Sequence, residues 1–301
     1  MTDILDLEPL LNLPRGTVEH LERPDGTRLR TVHAGHGPTI VLAHGYLLDL
    51  TLYNRVFEHL VAAGHHVIAF DQRGHGASTI GRDGLGSAAL ASDYAALLDH
   101  FGVEGGTLVA HSMGAFLSIV LCLREPALAN RRLQKLVLLG PNAGSVARGS
   151  LQNRLQIPLL KTGLLRRLWT RPGIGRSTLK SSLFGRDPDP RWVEATRQIL
   201  LRQREQLSFP MLSAMLNEDY YGRLGEISLP TTVLCGDLDR TCPRWHSERL
   251  GSSLPNASYV SVAGAGHMIP YEAPAAILAA LGGDVSSTHV EPAGTQRGVI
   301  G

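Results

Sequence analysis

The feature that most constrains this 301-residue chain is an alternation of short apolar runs with helix-spaced segments. The runs are TIVLA at 39–43, HVIAF at 66–70, TLVA at 107–110 and LQKLVLL at 133–139. Segments with helical spacing lie between them at 54–64, 87–101 and 113–124. A run that stays apolar, without polar alternation, is the pattern of a strand buried on both faces. Strands of that kind joined by helices imply a mostly parallel sheet with helices on both sides and right-handed crossovers. Ahead of them, 17–23 and 28–35 flank the turn Pro24-Asp25-Gly26 and read as a hairpin. The first dozen residues read as a loose lead-in. The rhythm breaks over 145–228, which holds no convincing strand but shows helical patterns at 159–169 and 192–207. It resumes with TTVLC at 231–235, a helix near 245–250, a strand at 258–262 and a helix at 273–281. One sheet interrupted by a helical insertion fits better than two serial domains. The expected division is a core over 1–144 and 228–283, a helical cap over 145–227, and a disordered tail over 284–301 that is rich in Ser, Thr, Gly and Pro.

Composition closes off other classes. A chain this long buries roughly 75% of the surface its unfolded form exposes. Hydrophobic residues make up 43% and charged residues 19%, so a disordered or fibrous chain is excluded. The formal net charge of +2 argues against a nucleic-acid partner. No apolar run approaches the ~18 residues of a membrane span. Cys122, Cys235 and Cys242 show no metal-ligand or redox spacing, and no metal is expected. The opening MTDILDLEPLLN lacks a basic region followed by an apolar one. The expectation is a cytoplasmic protein, with peripheral placement at a membrane left open.

The segment TLVAHSMG at 107–114 carries the chemistry. A buried strand runs straight into a helix with Ser112 at the corner. Such a turn is tight and needs small residues two before and two after the serine, as Ala110 and Gly114 are. The hydroxyl would project from the C-terminal edge of the sheet, where open α/β sheets bind ligands. The Met113 N–H would lie at a helix N-terminus, where it can stabilise a developing oxyanion.

This segment resembles the nucleophile elbow of the α/β-hydrolase family, G-x-S-x-G, with Ala110 in place of the first glycine. Other motifs agree in order. His44-Gly45-Tyr46 resembles the H-G-x turn and implies that Tyr46 gives the second oxyanion-hole N–H, with His44 structural. DQRGHGAS at 71–78 resembles a fold-marking turn, which discounts Arg73 and His75 as chemical groups. After TTVLC, GDLDRTCP at 236–243 selects Asp239, with Asp237 as runner-up. Finally Gly266, His267, Glu272 and Pro274 match a G-H-x-x-x-x-E-x-P ending. The chain order Ser112, Asp239, His267 is that of the fold.

The resemblance implies a serine hydrolase of α/β class without cofactor. His267 serves as general base and then acid, and Asp239 holds its tautomer. Serine at 112 sets the chain apart from the epoxide hydrolases and dehalogenases of this fold, which carry aspartate there. The expected reaction is hydrolysis of a hydrophobic or monoacyl-lipid ester, since 53–64 and the segment after it look most like the monoacylglycerol-lipase and lysophospholipase-like branch. The alternatives on the same triad are carbon–carbon bond hydrolysis, lactone hydrolysis and cofactor-free haloperoxidation or perhydrolysis. A ligand-binding receptor reusing the fold is the alternative of another class. Residues 145–186 contain nine basic side chains and no Asp or Glu, interleaved with apolar ones. They could rest on an anionic membrane or form a lid with a solvated basic face. Oligomeric state is not legible.

Overall fold

The structure is a computed structural model that describes residues 5–204 and 210–282. Its strands are β1 (Thr17–Glu22), β2 (Arg28–Ala34), β3 (Thr39–Ala43), β4 (His66–Phe70), β5 (Gly106–His111), β6 (Leu133–Leu139), β7 (Thr231–Gly236) and β8 (Ala257–Val262). They form one eight-stranded sheet in the order β1-β2-β4-β3-β5-β6-β7-β8. β2 pairs antiparallel with both β1 and β4, and all the other pairs are parallel. The chain passes from β3 to β4 on one side and then to β5 on the other. The order therefore reverses at β3, and the crevice of this switch point opens at the C-terminal ends of β3 and β5.

Period-two alternation along the strands divides the core between two faces. Val41, Phe70, Leu108 and Leu138 face one layer, which contains α3 (Ser87–His100) and α4 (Met113–Arg124). Leu42, Ala69, Val109 and Leu139 face the other, which contains α2 (Asn54–Ala62) and α13 (Pro274–Gly282). β5 and β7 are buried at every position, which is why their sequences show no polar alternation.

The remaining helices are α1 (Glu8–Leu11), α5 (Pro126–Arg132), α6 (Leu151–Lys161), α7 (Leu164–Trp169), α8 (Pro172–Leu183), α9 (Pro190–Arg202), α10 (Pro210–Asn217), α11 (Arg244–Ser253) and α12 (Ile269–Glu272). Helices α6 to α10 fill the interval between β6 and β7.

Several expectations need correction. The single helix expected over 159–169 is two, because Gly163 adopts φ 71° and starts a new axis at α7. The helix expected over 192–207 begins earlier, at Pro190, where the Asp189 carboxylate accepts the Arg191 N–H. It gives way at Gln203 to extended backbone, and the rest of that expectation falls outside the described residues. α4 ends at Arg124, and Pro126 opens a further helix, α5, that the sequence pattern did not give, because proline suits the first helical position. The lead-in is not loose over its described part. Leu10 is buried, and Asn54 Nδ2 donates to the carbonyls of Pro9 (3.1 Å) and Asn12 (2.7 Å). The expected tail over 284–301 lies outside the described residues.

Candidate active site

Ser112 stands between β5 and α4 with φ 53° and ψ −112°. For a residue with a Cβ this backbone stores roughly 1–3 kcal/mol of strain. Ser112 N–H donates to Leu139 O at 2.9 Å, and Ser112 O accepts from Phe116 N–H at 3.1 Å. Crowding explains the small neighbours. A Cβ at Gly114 would sit 2.6 Å from Ala43 O and 2.8 Å from His44 O. Met113 begins α4, so its N–H is one of the donors that a helix leaves without an internal partner.

His267 follows β8 in a loop tied at several points. Its Nδ1 lies 2.7 Å from Asp239 Oδ2, and both side chains are buried. The carboxylate accepts a hydrogen bond from Nδ1–H, which leaves Nε2 with a free lone pair. Asp239 Oδ1 is occupied by the N–H groups of Thr241 (2.9 Å) and Cys242 (2.8 Å), which fix the carboxylate plane. The runner-up is elsewhere: Asp237 Oδ1 accepts the Gly264 N–H at 2.7 Å. The His267 N–H donates to Leu183 O at 2.7 Å, at the end of α8. The Glu272 carboxylate accepts N–H groups from Gly185 (2.7 Å), Gly266 (3.0 Å) and Met268 (3.0 Å). It therefore ties the chain after α8 to the histidine loop, and burial raises its pKa.

Two further histidines support the site: His111, which the sequence did not single out, and His75, which it discounted as a chemical group. His111 Nε2 lies 2.9 Å from His267 O, an acceptor only, so Nε2 carries the proton. Burial holds its pKa well below the usual range, and its ring lies 4.7 Å from that of His267. His75 Nε2 accepts the Leu47 N–H at 3.2 Å, next to Tyr46. Burial pushes its pKa to about 3. His44 reinforces the same turn. Its Nδ1 donates to Gly45 O at 2.7 Å, its Nε2 accepts the Gln72 N–H at 3.0 Å, and burial lowers its pKa to about 4. Nothing in the local sequence gives the roles of His111 or His75, because their partners come from distant loops. Arg73 is buried in ion pairs with Asp93 (2.8 Å) and Asp25 (2.7 Å), away from the cavity.

Ser112, His267, Tyr46, His111 and Cys242 line one cavity of about 130 Å³, and Asp239 stands behind His267. The helical segment between β6 and β7 supplies most of the rest: Val146, Ile157, Leu160, Leu165, Trp169, Leu179, Leu183, Leu200, Leu212 and Met215. Asn153, Gln156, Ser182 and Thr241 add uncharged polar groups. Among the described lining residues none is Asp, Glu, Lys or Arg.

A strained serine at the switch point of a parallel sheet, lining one apolar cavity with a carboxylate-held histidine, defines a hydrolase. Residues 40–281 match the model of the alpha/beta hydrolase family, and the chain belongs to that family. It is 30% identical over 251 residues, 79% of this chain and 84% of the other, to a 2-hydroxy-6-oxononadienedioate/2-hydroxy-6-oxononatrienedioate hydrolase of Paraburkholderia xenovorans. It resembles the structure of an enol-lactonase from Burkholderia xenovorans LB400 (TM-score 0.74, 19% identity, 87% of this chain and 98% of that one). It also resembles an esterase from Exiguobacterium antarcticum (TM-score 0.73, 19% identity, 85% of this chain and 93% of that one). At those identities the two structures show the fold alone.

Proposed function

We propose that the protein hydrolyses a carbon–carbon bond beside a ketone in an uncharged, largely apolar substrate, with Ser112 as nucleophile. The observation that carries the reading is the strained Ser112 together with the Asp239-held His267 in a cavity whose described lining holds no charged side chain. Ser112 adds to the ketone carbon while His267 Nε2 takes its proton, and the N–H groups of Tyr46 and Met113 bind the oxyanion. In a diketone the bond between that carbon and the neighbouring carbon then breaks. Its electron pair is delocalised into the second ketone as an enolate, which takes the proton from His267. Water activated by His267 releases the acyl group as an acid. One diketone and one water give one carboxylic acid and one ketone. The segment from α6 to α10 acts as the cap that excludes bulk water.

The choice of bond follows from the sequence relative. A 2-hydroxy-6-oxo-dienedioate has no ester, lactone or amide, so its hydrolysis must break a carbon–carbon bond. That supports the carbon–carbon reading over the lipid-ester reading expected from the sequence. The dioate itself suits this cavity poorly. A carboxylate buried without a cation costs several kcal/mol, on the order of a hundredfold or more in binding. The apolar lining also supports a second reading, hydrolysis of an apolar ester.

The test compares a medium-chain 1,3-diketone, p-nitrophenyl hexanoate and the nonadienedioate, with Ser112→Ala alongside. The expected result is conversion of the diketone to one acid and one ketone, lost in the variant, with the dioate turned over at least about a hundredfold more slowly. Ester turnover without diketone turnover replaces the carbon–carbon reading with the ester reading. Diketone turnover that survives Ser112→Ala removes Ser112 as nucleophile.

A further inference from the structure

Each of α6, α7 and α8 turns one face to the cavity and the opposite face to solvent. On α6, Asn153, Gln156, Ile157 and Leu160 line the cavity, whereas Leu151, Arg154, Leu155, Pro158 and Lys161 are exposed. That spacing of three and four residues is a single outer stripe. The division repeats on α7, with Leu165 inside and Leu164 and Arg167 outside, and on α8, with Leu179 inside and Ile174, Arg176 and Lys180 outside. The cavity roof is thus one helix thick, and its outer surface is both apolar and basic.

Large exposed side chains concentrate there. Leu151 is 70% exposed, Leu155 63%, Leu164 45% and Ile174 40%. Leaving one large apolar side chain in water is ordinary, but four on one roof are not explained by packing. The stretch 145–186 that forms this surface carries nine basic residues and no acidic one, and Arg176 lies 4.0 Å from the Glu194 carboxylate of α9. Among the described residues, no carboxylate lies within 4.0 Å of Arg154, Arg167, Arg171 or Lys180. Exposed leucines ringed by unneutralised cations complement a surface that is negative outside and apolar beneath.

We propose that the outer face of α6 to α8 docks on an anionic lipid bilayer, with Leu151, Leu155, Leu164 and Ile174 entering the interface and the surrounding arginines meeting lipid headgroups. Docking places the cavity roof against the lipid, so that an apolar substrate can pass between its helices without crossing water. The arrangement follows the physics of interfacial helices, which combine buried apolar area with attraction to anionic headgroups.

The test is co-sedimentation of the full chain with phosphatidylcholine vesicles, with and without about 30% phosphatidylglycerol, at low and high salt. The double variants Arg154→Glu/Arg167→Glu and Leu151→Ser/Leu155→Ser are compared with wild type. Circular dichroism and thermal melting establish that each variant is folded, so the reading does not depend on any assumed substrate. The expected result is partitioning onto the anionic vesicles that weakens with salt. Each cation near such a surface contributes roughly a fivefold factor, so Arg154→Glu/Arg167→Glu should lower partitioning at least about 25-fold. Loss of the leucines should lower it about tenfold. Absence of partitioning overturns the proposal, and so does partitioning that neither folded variant changes. A wild-type dimer that the leucine variant converts to monomer, without vesicle binding, would make the face a contact between copies of the chain and overturn it as well.

Discussion

The turn that carries Tyr46 is held by two buried neutral histidines, and this makes it acid-sensitive by a calculable amount. In water a histidine binds a proton near pH 6.5, whereas burial lowers His75 to about 3 and His44 to about 4. The folded pKa lies below the unfolded one. The stability attached to each neutral ring is therefore fully present above about pH 6.5 and is lost as pH falls towards the folded value. Between about pH 7.5 and about pH 5.5 the unfolded chain gains close to one proton per histidine while the folded chain gains almost none, a loss of about 1.4 kcal/mol for each ring. His75→Gln removes one titrating group and offers a carbonyl oxygen near the place from which Nε2 accepts the Leu47 N–H. The variant should be about 1 kcal/mol less stable near neutrality. Its stability should fall about 1.4 kcal/mol less than that of wild type over the same pH interval. Urea unfolding at the two pH values, followed by circular dichroism, measures both quantities. An equal fall in the two proteins would refute the assignment of His75 as a neutral, buried acceptor.

Other outcomes follow from the geometry of the site. Asp239→Asn replaces the acceptor at His267 Nδ1 and should lower kcat by about 10⁴, whereas Asp237→Asn, which touches only the Gly264 N–H, should leave kcat within about tenfold. Steady-state rates on the best substrate separate the two carboxylates. Gly114→Ala drives a methyl to 2.6 Å from Ala43 O, and the overpacking should cost about 1–3 kcal/mol, seen as a lowered melting temperature.

Much of the sheet was legible because its strands are buried on both faces. The runs at 39–43, 66–70 and 133–139 coincide with β3, β4 and β6, where the last four residues of each run are buried apolar ones. Elements shaped by single backbone positions were less legible. The break between α6 and α7 depends on Gly163 adopting a left-handed conformation, and glycine does not announce which conformation it takes. The docking of the first dozen residues depends on Asn54, far along the chain. Within the site, the resemblance of 236–243 to the family's turn ranked Asp239 above Asp237 but did not decide between them. The structure pairs Asp239 with the histidine because the turn delivers the Gly264 N–H to Asp237 instead. The roles of His111 and His75 come from partners 156 and 28 residues away, and no local pattern carries them. The nine basic residues of 145–186 were read as an outer face, and the helices do turn Arg154, Arg167 and Lys180 outward and present leucines to the cavity.

The central claim is that Ser112 is a nucleophile made reactive by His267 and oriented through Asp239. The most direct measurement is intact-protein and peptide mass spectrometry after treatment with a fluorophosphonate, on wild type and on His267→Ala. The expected result is one adduct per chain, on the peptide containing Ser112, with labelling at least about 10³-fold slower in the folded variant. Folded wild-type protein that forms no adduct, forms it on another residue, or forms it equally fast without His267 would contradict the account.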